Sequence, residues 1–310
     1  MNSPTSAIAR GVATITHDGT VLDVWYPAPL VDEPVEETGT RRLAEPDARF
    51  EELVGPDEAR GVARVAVETA IKDLAEPAVD AYDVYLRLHL LSHRLIRPHG
   101  ANMDGVFGLL SNVVWTNYGP CAVSDFQMTR GKLAAKGPVV VFSVDKFPRM
   151  VDYVVPSGVT IAEAERVRLG AYLAEGTSVM REGYVSYNAG SLGPARIEGR
   201  VSSAVVVGAG TDLALSSTLM ASRVSEFVRA PMRVGENCRL HPSAGVIGVD
   251  LGDRCEIGVG VMLEPETMVF DVESGTQVPA STIAGRSDLR IEHEPFSTSP
   301  VVRRRAQHAT

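Results

Sequence analysis

The chain has 310 residues, 45% of them hydrophobic and 22% charged, and its 30 Lys and Arg against 39 Asp and Glu give a formal net charge of −9. That length holds one large domain or two to three small ones, and the composition is that of a soluble globular protein. The acidic balance argues against a nucleic-acid or membrane-surface partner, whereas an anionic small molecule would need only a local arginine.

Cys121, Cys238 and Cys255 are an odd, widely spaced set with no CxxC pair. They argue against a disulfide framework or a cysteine zinc site and fit a reducing cytoplasm. The opening MNSPTSAIARGVATIT lacks a basic stretch followed by an apolar one, so no signal peptide is expected. No apolar run approaches the ~18–20 residues of a membrane span. The expectation is a cytoplasmic protein with neither a nucleic-acid nor a membrane partner.

In chain order, GVATIT and TVLDVWYP predict strands around a turn at His17-Asp18-Gly19, and the Glu-, Pro- and Asp-rich residues 31–60 predict a loop. ARVAVETAIKDLA reads as strand or helix. AVDAYDVYLRLHLLSHRLI predicts a helix with Tyr82, Leu86, Leu90 (or His89) and His93 on one side, ended by Pro98. GVFGLLSNVVWT and PVVVFSVDKF both predict strands. Residues 1–157 are thus expected to form a mixed α/β domain.

From about residue 158 the pattern changes to a period of six. Apolar residues recur at Ile161, Val167, Leu173, Val179, Val185 and Ile197, with Ser191 the one polar member. A second series runs Val234, Leu240, Val246, slips by one residue, and resumes at Leu251, Ile257, Leu263 and Val269. Small residues often follow four places on, as at Ala171, Thr177, Gly183, Ala189 and Ala195. Neither a helix nor an ordinary strand repeats every six residues, but a parallel β-helix does. Each unit then forms one face of a triangular coil, its apolar residue on the axis and its small residue at a corner. Trimeric acyltransferases are commonly built this way. The pattern spans 158–272 and is interrupted at 214–231, which predicts a loop excursion. Residues 273–310 are polar and predict a separate C-terminal segment, with Arg303-Arg304-Arg305 on a solvated tail.

Other site patterns are weak. His89 and His93 stand four apart, but Leu90 replaces the glutamate of a zinc-protease helix, so core or capping roles are expected. The coils carry only His241, too few for a three-histidine zinc site. No GxxxxGK[ST] phosphate loop is present.

Five blocks point to a family: LRLHLLSHRLIRPHG (86–100), NVVWTNYGPCAV (112–123), VDKFPRMVDYVVPSGVTIA (144–162), RVRLGAYLAEGTSVMREGYVSYNAGSLG (166–193) and IEGRVSS (197–203). They closely resemble the actinobacterial type of tetrahydrodipicolinate N-succinyltransferase, of the diaminopimelate–lysine pathway, through most of residues 60–212. The resemblance implies an α/β N-terminal domain, a left-handed parallel β-helix, a small C-terminal segment and a homotrimer. It implies transfer of succinyl from succinyl-CoA onto the amine of 2-amino-6-oxopimelate, the ring-opened tetrahydrodipicolinate. The EGR motif makes Glu198 the catalytic residue, as acyl-carrying nucleophile or as base for the amine. Arg200, two residues on and so expected on the same side of a strand, matches a substrate-contacting arginine. Thr218-Leu219-Met220 resembles the family's Ser-Ile-Met, which implies an acyl-CoA contact at Thr218. Glu165 and Glu182 match acidic positions at the three-fold axis, where a structural Mg²⁺ can bind.

The sequence departs from the family after VVVGAGTD, where LALSSTLMASRVSEFV replaces a glycine-rich run expected to admit acyl-CoA. PASTIAGRSDLRI (279–291) stands where a lysine motif is expected, with Arg286 or Arg290 as substitutes. Two further readings therefore accompany succinyl transfer. One is a catalytically degenerate paralogue serving as a structural or regulatory subunit, in a hetero-trimer with an active relative. The other is an acyltransferase with a different donor.

Overall fold

The computed structural model describes residues 4–295 and 297–305, and the chain divides into two compact units. The first comprises residues 1–155 with 168–170, the second 156–167 with 171–310.

In the first unit, Ala7–Thr16 pairs antiparallel with Val21–Trp25 on one side and Val62–Ile71 on the other. ARVAVETAI thus resolves as a strand, in keeping with its valine-rich, half-buried character. The expected loop over 31–60 is not uniformly a loop. Gly39–Arg42 pairs with Val62–Ile71 at the sheet edge, and Gly55–Asp57 pairs with the same strand's beginning. An edge strand bonded on one side tolerates that polar composition.

Helix α1 (Ala81–Ser92) packs against this sheet. Asp80 caps it by accepting the Asp83 N–H at 2.9 Å, and Asp83 reaches back to the Val79 N–H at 3.1 Å. Asp83 also takes the guanidinium of Arg87 at 2.7 Å, each side chain 1% exposed. The helix ends at Ser92, well before Pro98. The N–H of Leu95 returns to the Leu90 carbonyl and that of Arg94 to Leu91, with Arg94 at φ 62°. That is a Schellman stop without its usual glycine. His89 is wholly buried, its Nε2 accepting the Tyr26 N–H at 3.2 Å and its Nδ1 donating to the Tyr85 carbonyl at 2.7 Å. The core role expected for His89 is the one observed.

Two helices depart from the sequence reading. Val106–Leu109 (α2) is a single helical turn within a stretch expected to be strand, and Phe126–Ala134 (α3) falls where no element was expected. Between and after them, Val113–Thr116 pairs with Gly119–Ala122 and with Val141–Asp145 in a small antiparallel sheet.

The second unit is a parallel coil with three faces. On the first face Thr160–Ile161, Ser178–Val179, Arg196–Ile197, Asp212–Leu213, Arg239–Leu240 and Glu256–Ile257 pair in that order, all parallel. The second face runs Ala171–Leu173, Ala189–Ser191, Val205–Val207, Met232–Val234. The third runs Tyr184–Val185, Arg200–Val201, Thr218–Met220, Gly245–Ile247, Met262–Leu263. The chain visits the faces in turn, so each circuit stacks on the last. Leu173, Val179, Val185, Ile197, Leu240, Val246, Ile257 and Leu263 are all wholly buried, as the six-residue series predicts. Val201, Val207, Leu213 and Leu219 continue the inward series after a corner where the spacing shortens from six to four, from Ile197 to Val201.

The excursion is shorter than 214–231. Thr218–Met220 belongs to the third face, and the chain leaves the coil only around residues 222–230, pinched by an Arg223↔Arg229 bridge. Glycine absence marked the whole stretch, but outward positions on a flat face do not need glycine. Residues 273–305 do not trail away either. Leu289–Glu292 extends the first face by pairing with Glu256–Ile257, and Val301–Arg304 pairs antiparallel to it. Arg303 binds Glu294, Arg304 binds Glu273 at 2.6 Å, and Arg305 donates to the Arg254 carbonyl at 3.0 Å. The basic triplet is thus a paired strand end, and the strand's pairing closes a sheet edge that would otherwise be open.

Candidate functional site on the coil

Glu198 and Gly199 form the bend between Arg196–Ile197 on the first face and Arg200–Val201 on the third. The i, i+2 expectation for Glu198 and Arg200 therefore fails, because a corner separates them and they sit on adjacent faces. The bend is tight. A Cβ on Gly199 would fall inside van der Waals contact of both the Ser217 Oγ and the Ser217 carbonyl oxygen. The middle residue of EGR must be glycine for the coils to stack.

The backbone N–H of Glu198 donates to Leu213 at 2.8 Å, and that of Ala214 to Leu240 at 3.0 Å. Ala214 is thus the neighbour of Glu198 along the coil axis. Glu198 Oε2 accepts from Arg196 Nη2 at 2.6 Å, and Arg196 Nη1 donates to Asp212 Oδ1 at 3.2 Å. Its hydrogen bonds to the Asp212 and Glu198 carboxylates raise the pKa of Arg196 above its already high value. The Glu198 side chain is 27% exposed.

Arg200 lies over the Tyr184 ring, its guanidinium carbon 4.3 Å from the centroid, and its Nε donates to Ser202 Oγ at 3.2 Å. It has no carboxylate partner among the described residues. A cation held by a ring and a hydroxyl, with its terminal nitrogens free, suits an incoming carboxylate. Thr218 is the direct strand neighbour of Arg200, about 4.8 Å away along the axis. The next position is Gly245, where a Cβ would collide with the Met262 thioether. Tyr184, Arg200, Thr218, Gly245 and Met262 thus form one outward column. The structure brings Arg200 and Thr218 together and sets Glu198 around the corner from them.

Glu165 and Glu182 are exposed, and Glu182 pairs with Arg166 at 3.4 Å. Among the described residues no three His, Cys, Asp or Glu side chains cluster to hold a metal ion. His241 binds Glu256 at 2.7 Å. The arginines considered as substitutes for a missing lysine are engaged: Arg286 with Asp271 and Glu273, Arg290 with Glu292.

Sequence reasoning missed Arg196, Asp212 and Tyr184. The signal lay in coil spacing. Arg196 and Asp212, like Tyr184 and Arg200, are 16 residues apart, one circuit across the shortened corner. In the first unit, a cleft of about 510 Å³ is lined by polar residues such as Thr20, Asn112, Asp125 and Arg60 together with Leu22 and Val123. Arg60 is held there by Asp57 at 2.8 Å and the Pro120 carbonyl at 3.1 Å.

A family profile described as "Tetrahydrodipicolinate N-succinyltransferase middle" matches residues 110–149. A 2,3,4,5-tetrahydropyridine-2,6-dicarboxylate N-succinyltransferase of Pseudomonas putida is 38% identical over 316 aligned positions, covering 93% of this chain and 91% of that protein. A protein of the same name from Salinispora tropica is 48% identical over 221 positions, covering 68% of this chain and 67% of its own. A crystal structure from Campylobacter jejuni, named as a 2,3,4,5-tetrahydropyridine-2-carboxylate N-succinyltransferase, superposes with a TM-score of 0.82 at 21% identity. It covers 97% of this chain and 92% of its own, and it shows a shared fold.

Proposed function

The chain belongs to the tetrahydrodipicolinate N-succinyltransferase family, and from that membership and the chemistry of the coil we infer how it works. It transfers succinyl from succinyl-CoA to the amine of ring-opened tetrahydrodipicolinate, a step of diaminopimelate and lysine biosynthesis. The observation that carries this function is identity of 38% running over 93% of the chain, into the part where the local glycine pattern departs. The same extent argues against a subunit that has lost its chemistry or changed its donor.

Glu198 is proposed as the catalytic carboxylate. An ammonium has no lone pair, so the substrate nitrogen must lose a proton before or during attack on the thioester carbon. Glu198 accepts it, the C–N bond forms, the C–S bond breaks, and the CoA sulfur leaves to be protonated as the free thiol. That Oε1 of Glu198 has no hydrogen-bond partner among the described residues supports this role. Arg200 is proposed to hold a carboxylate of the substrates, and Thr218 to contact the acyl-CoA beside it. Orientation of two bound reactants supplies much of the rate.

The coil is proposed to be left-handed and the protein a homotrimer, with 1–157 as N-terminal α/β domain, 158–272 as β-helix and 273–310 as C-terminal segment. A structural Mg²⁺ would take Glu165 and Glu182 carboxylates from more than one copy, since one chain supplies too few. It would relieve repulsion among them. A cytoplasmic location fits three free cysteines, and no helix among the described residues is long and apolar enough to cross a membrane. The test is free-thiol release from succinyl-CoA on addition of tetrahydrodipicolinate. Release that depends on both substrates supports the assignment, and a folded protein without it overturns the assignment.

A further inference from the structure

We infer that Arg196 is a positioning residue for the reaction: it clamps one oxygen of Glu198 and thereby aims the other at the substrate amine. The inference rests on the reading of Glu198 as the catalytic carboxylate. A glutamate side chain has three rotatable bonds, and at an exposed coil corner nothing in its own backbone fixes them. Arg196 does so from two residues upstream, with Nη2 on Oε2 at 2.6 Å. Asp212 fixes the clamp in turn by taking Nη1 at 3.2 Å from the adjacent circuit of the same face. The planar guanidinium makes both contacts at once, which an ammonium cannot match in geometry.

Three further observations favour positioning over bulk stability. The side chains of Arg196, Glu198 and Asp212 are 46%, 27% and 36% exposed, so the pairs contribute little to folding. Oε1 of Glu198 has no partner among the described residues, so the clamp leaves one oxygen for chemistry. Arg200, on the far side of the corner, is turned to Tyr184 and Ser202 and does not share the task. A misplaced catalytic group costs on the order of 10- to 100-fold in rate.

The experiment is steady-state thiol release by the full chain as Arg196→Met, Arg196→Lys and Asp212→Asn, each alone and combined with Glu198→Ala. Arg196→Met is expected to lower kcat about 10- to 100-fold with both KM values nearly unchanged. Arg196→Lys recovers part of the loss, and Asp212→Asn gives a smaller loss. In the Glu198→Ala background, Arg196→Met has no further effect, because it acts through that carboxylate. Full kcat in Arg196→Met, while Glu198→Ala is strongly impaired, overturns the clamp and leaves Glu198 standing. A rise in KM at constant kcat overturns it too and makes Arg196 a substrate ligand. Wild-type turnover by Glu198→Ala overturns the reading of Glu198 itself.

Discussion

The hydroxyl of Ser191 lies 2.7 Å from that of Thr177, and both residues are wholly buried between adjacent circuits of the coil. Ser191 is the one polar member of the inward series, and Thr177 is a small corner residue. Each supplies the partner that makes burial of the other tolerable. Thr177 also reaches the Gly193 carbonyl at 3.3 Å. Ser191→Ala is expected to cost about 1 kcal/mol and Thr177→Val alone about 1–3 kcal/mol, while the double variant costs less than the two added. Urea midpoints of the four proteins give the coupling directly, and strict additivity would contradict it.

Gly199 sits where a methyl group would meet the backbone of the next circuit. Backbone cannot yield as a side-chain tip can, so Gly199→Ala is expected to destabilise by about 1–3 kcal/mol. It should also displace Glu198 and Arg200 on either side and lower turnover beyond what unfolding explains. Chemical denaturation beside kcat at a temperature where the variant is folded checks both effects.

Burial holds the pKa of His89 down to about 3, against an ordinary 6.5. The Tyr26 N–H occupies the nitrogen that protonation would use. Between those values the unfolded chain binds a proton that the folded chain refuses, so this contribution is complete above pH 6.5 and is lost as pH falls toward 3. The loss is about 1.4 kcal/mol per pH unit, or about 2 kcal/mol between pH 7 and pH 5. His89→Gln should be less stable at pH 7 yet show a shallower decline. Equal slopes for the two proteins would contradict the account.

Arg200 is proposed to hold a substrate carboxylate, and charged hydrogen bonds of that kind are worth about 1.5–3 kcal/mol. Arg200→Ala is expected to raise the KM of the ligand it holds about 10- to 100-fold. Arg200→Lys should recover only part, because it loses the planar fork over Tyr184. Unchanged KM values for both substrates would remove Arg200 from the site.

The coil was legible because its inward residues alternate with a period no other fold produces, and Leu173, Val179, Val185 and Ile197 are buried accordingly. It became illegible between Ile197 and Val234, because the EGR corner drops two residues and moves the series to Val201. That same shortening hid Arg196–Asp212 and Tyr184–Arg200, since neighbours across it are 16 residues apart. Glu198, Arg200 and Thr218 were singled out by resemblance; that Arg200 and Thr218 adjoin follows only from strand register. The C-terminal residues misled for a different reason. Arg303 and Arg304 are exposed and charged, as a tail would be, and only their pairing with Leu289–Glu292 makes them strand. Likewise, α3 follows Asp125, a residue type common at helix N-caps, but the Asp125 backbone lies in the left-handed region and its side chain makes no capping hydrogen bond.

The central claim is that the Glu198 carboxylate accepts the amine proton during succinyl transfer. Glu198→Gln keeps size and shape and can still contact Arg196 through its amide oxygen, but it cannot take the proton. Thiol release from succinyl-CoA with tetrahydrodipicolinate should fall by about 10²–10⁴-fold in kcat, with thermal stability and substrate binding nearly unchanged. Turnover within a few-fold of wild type would contradict the claim and move the catalytic base elsewhere on the coil.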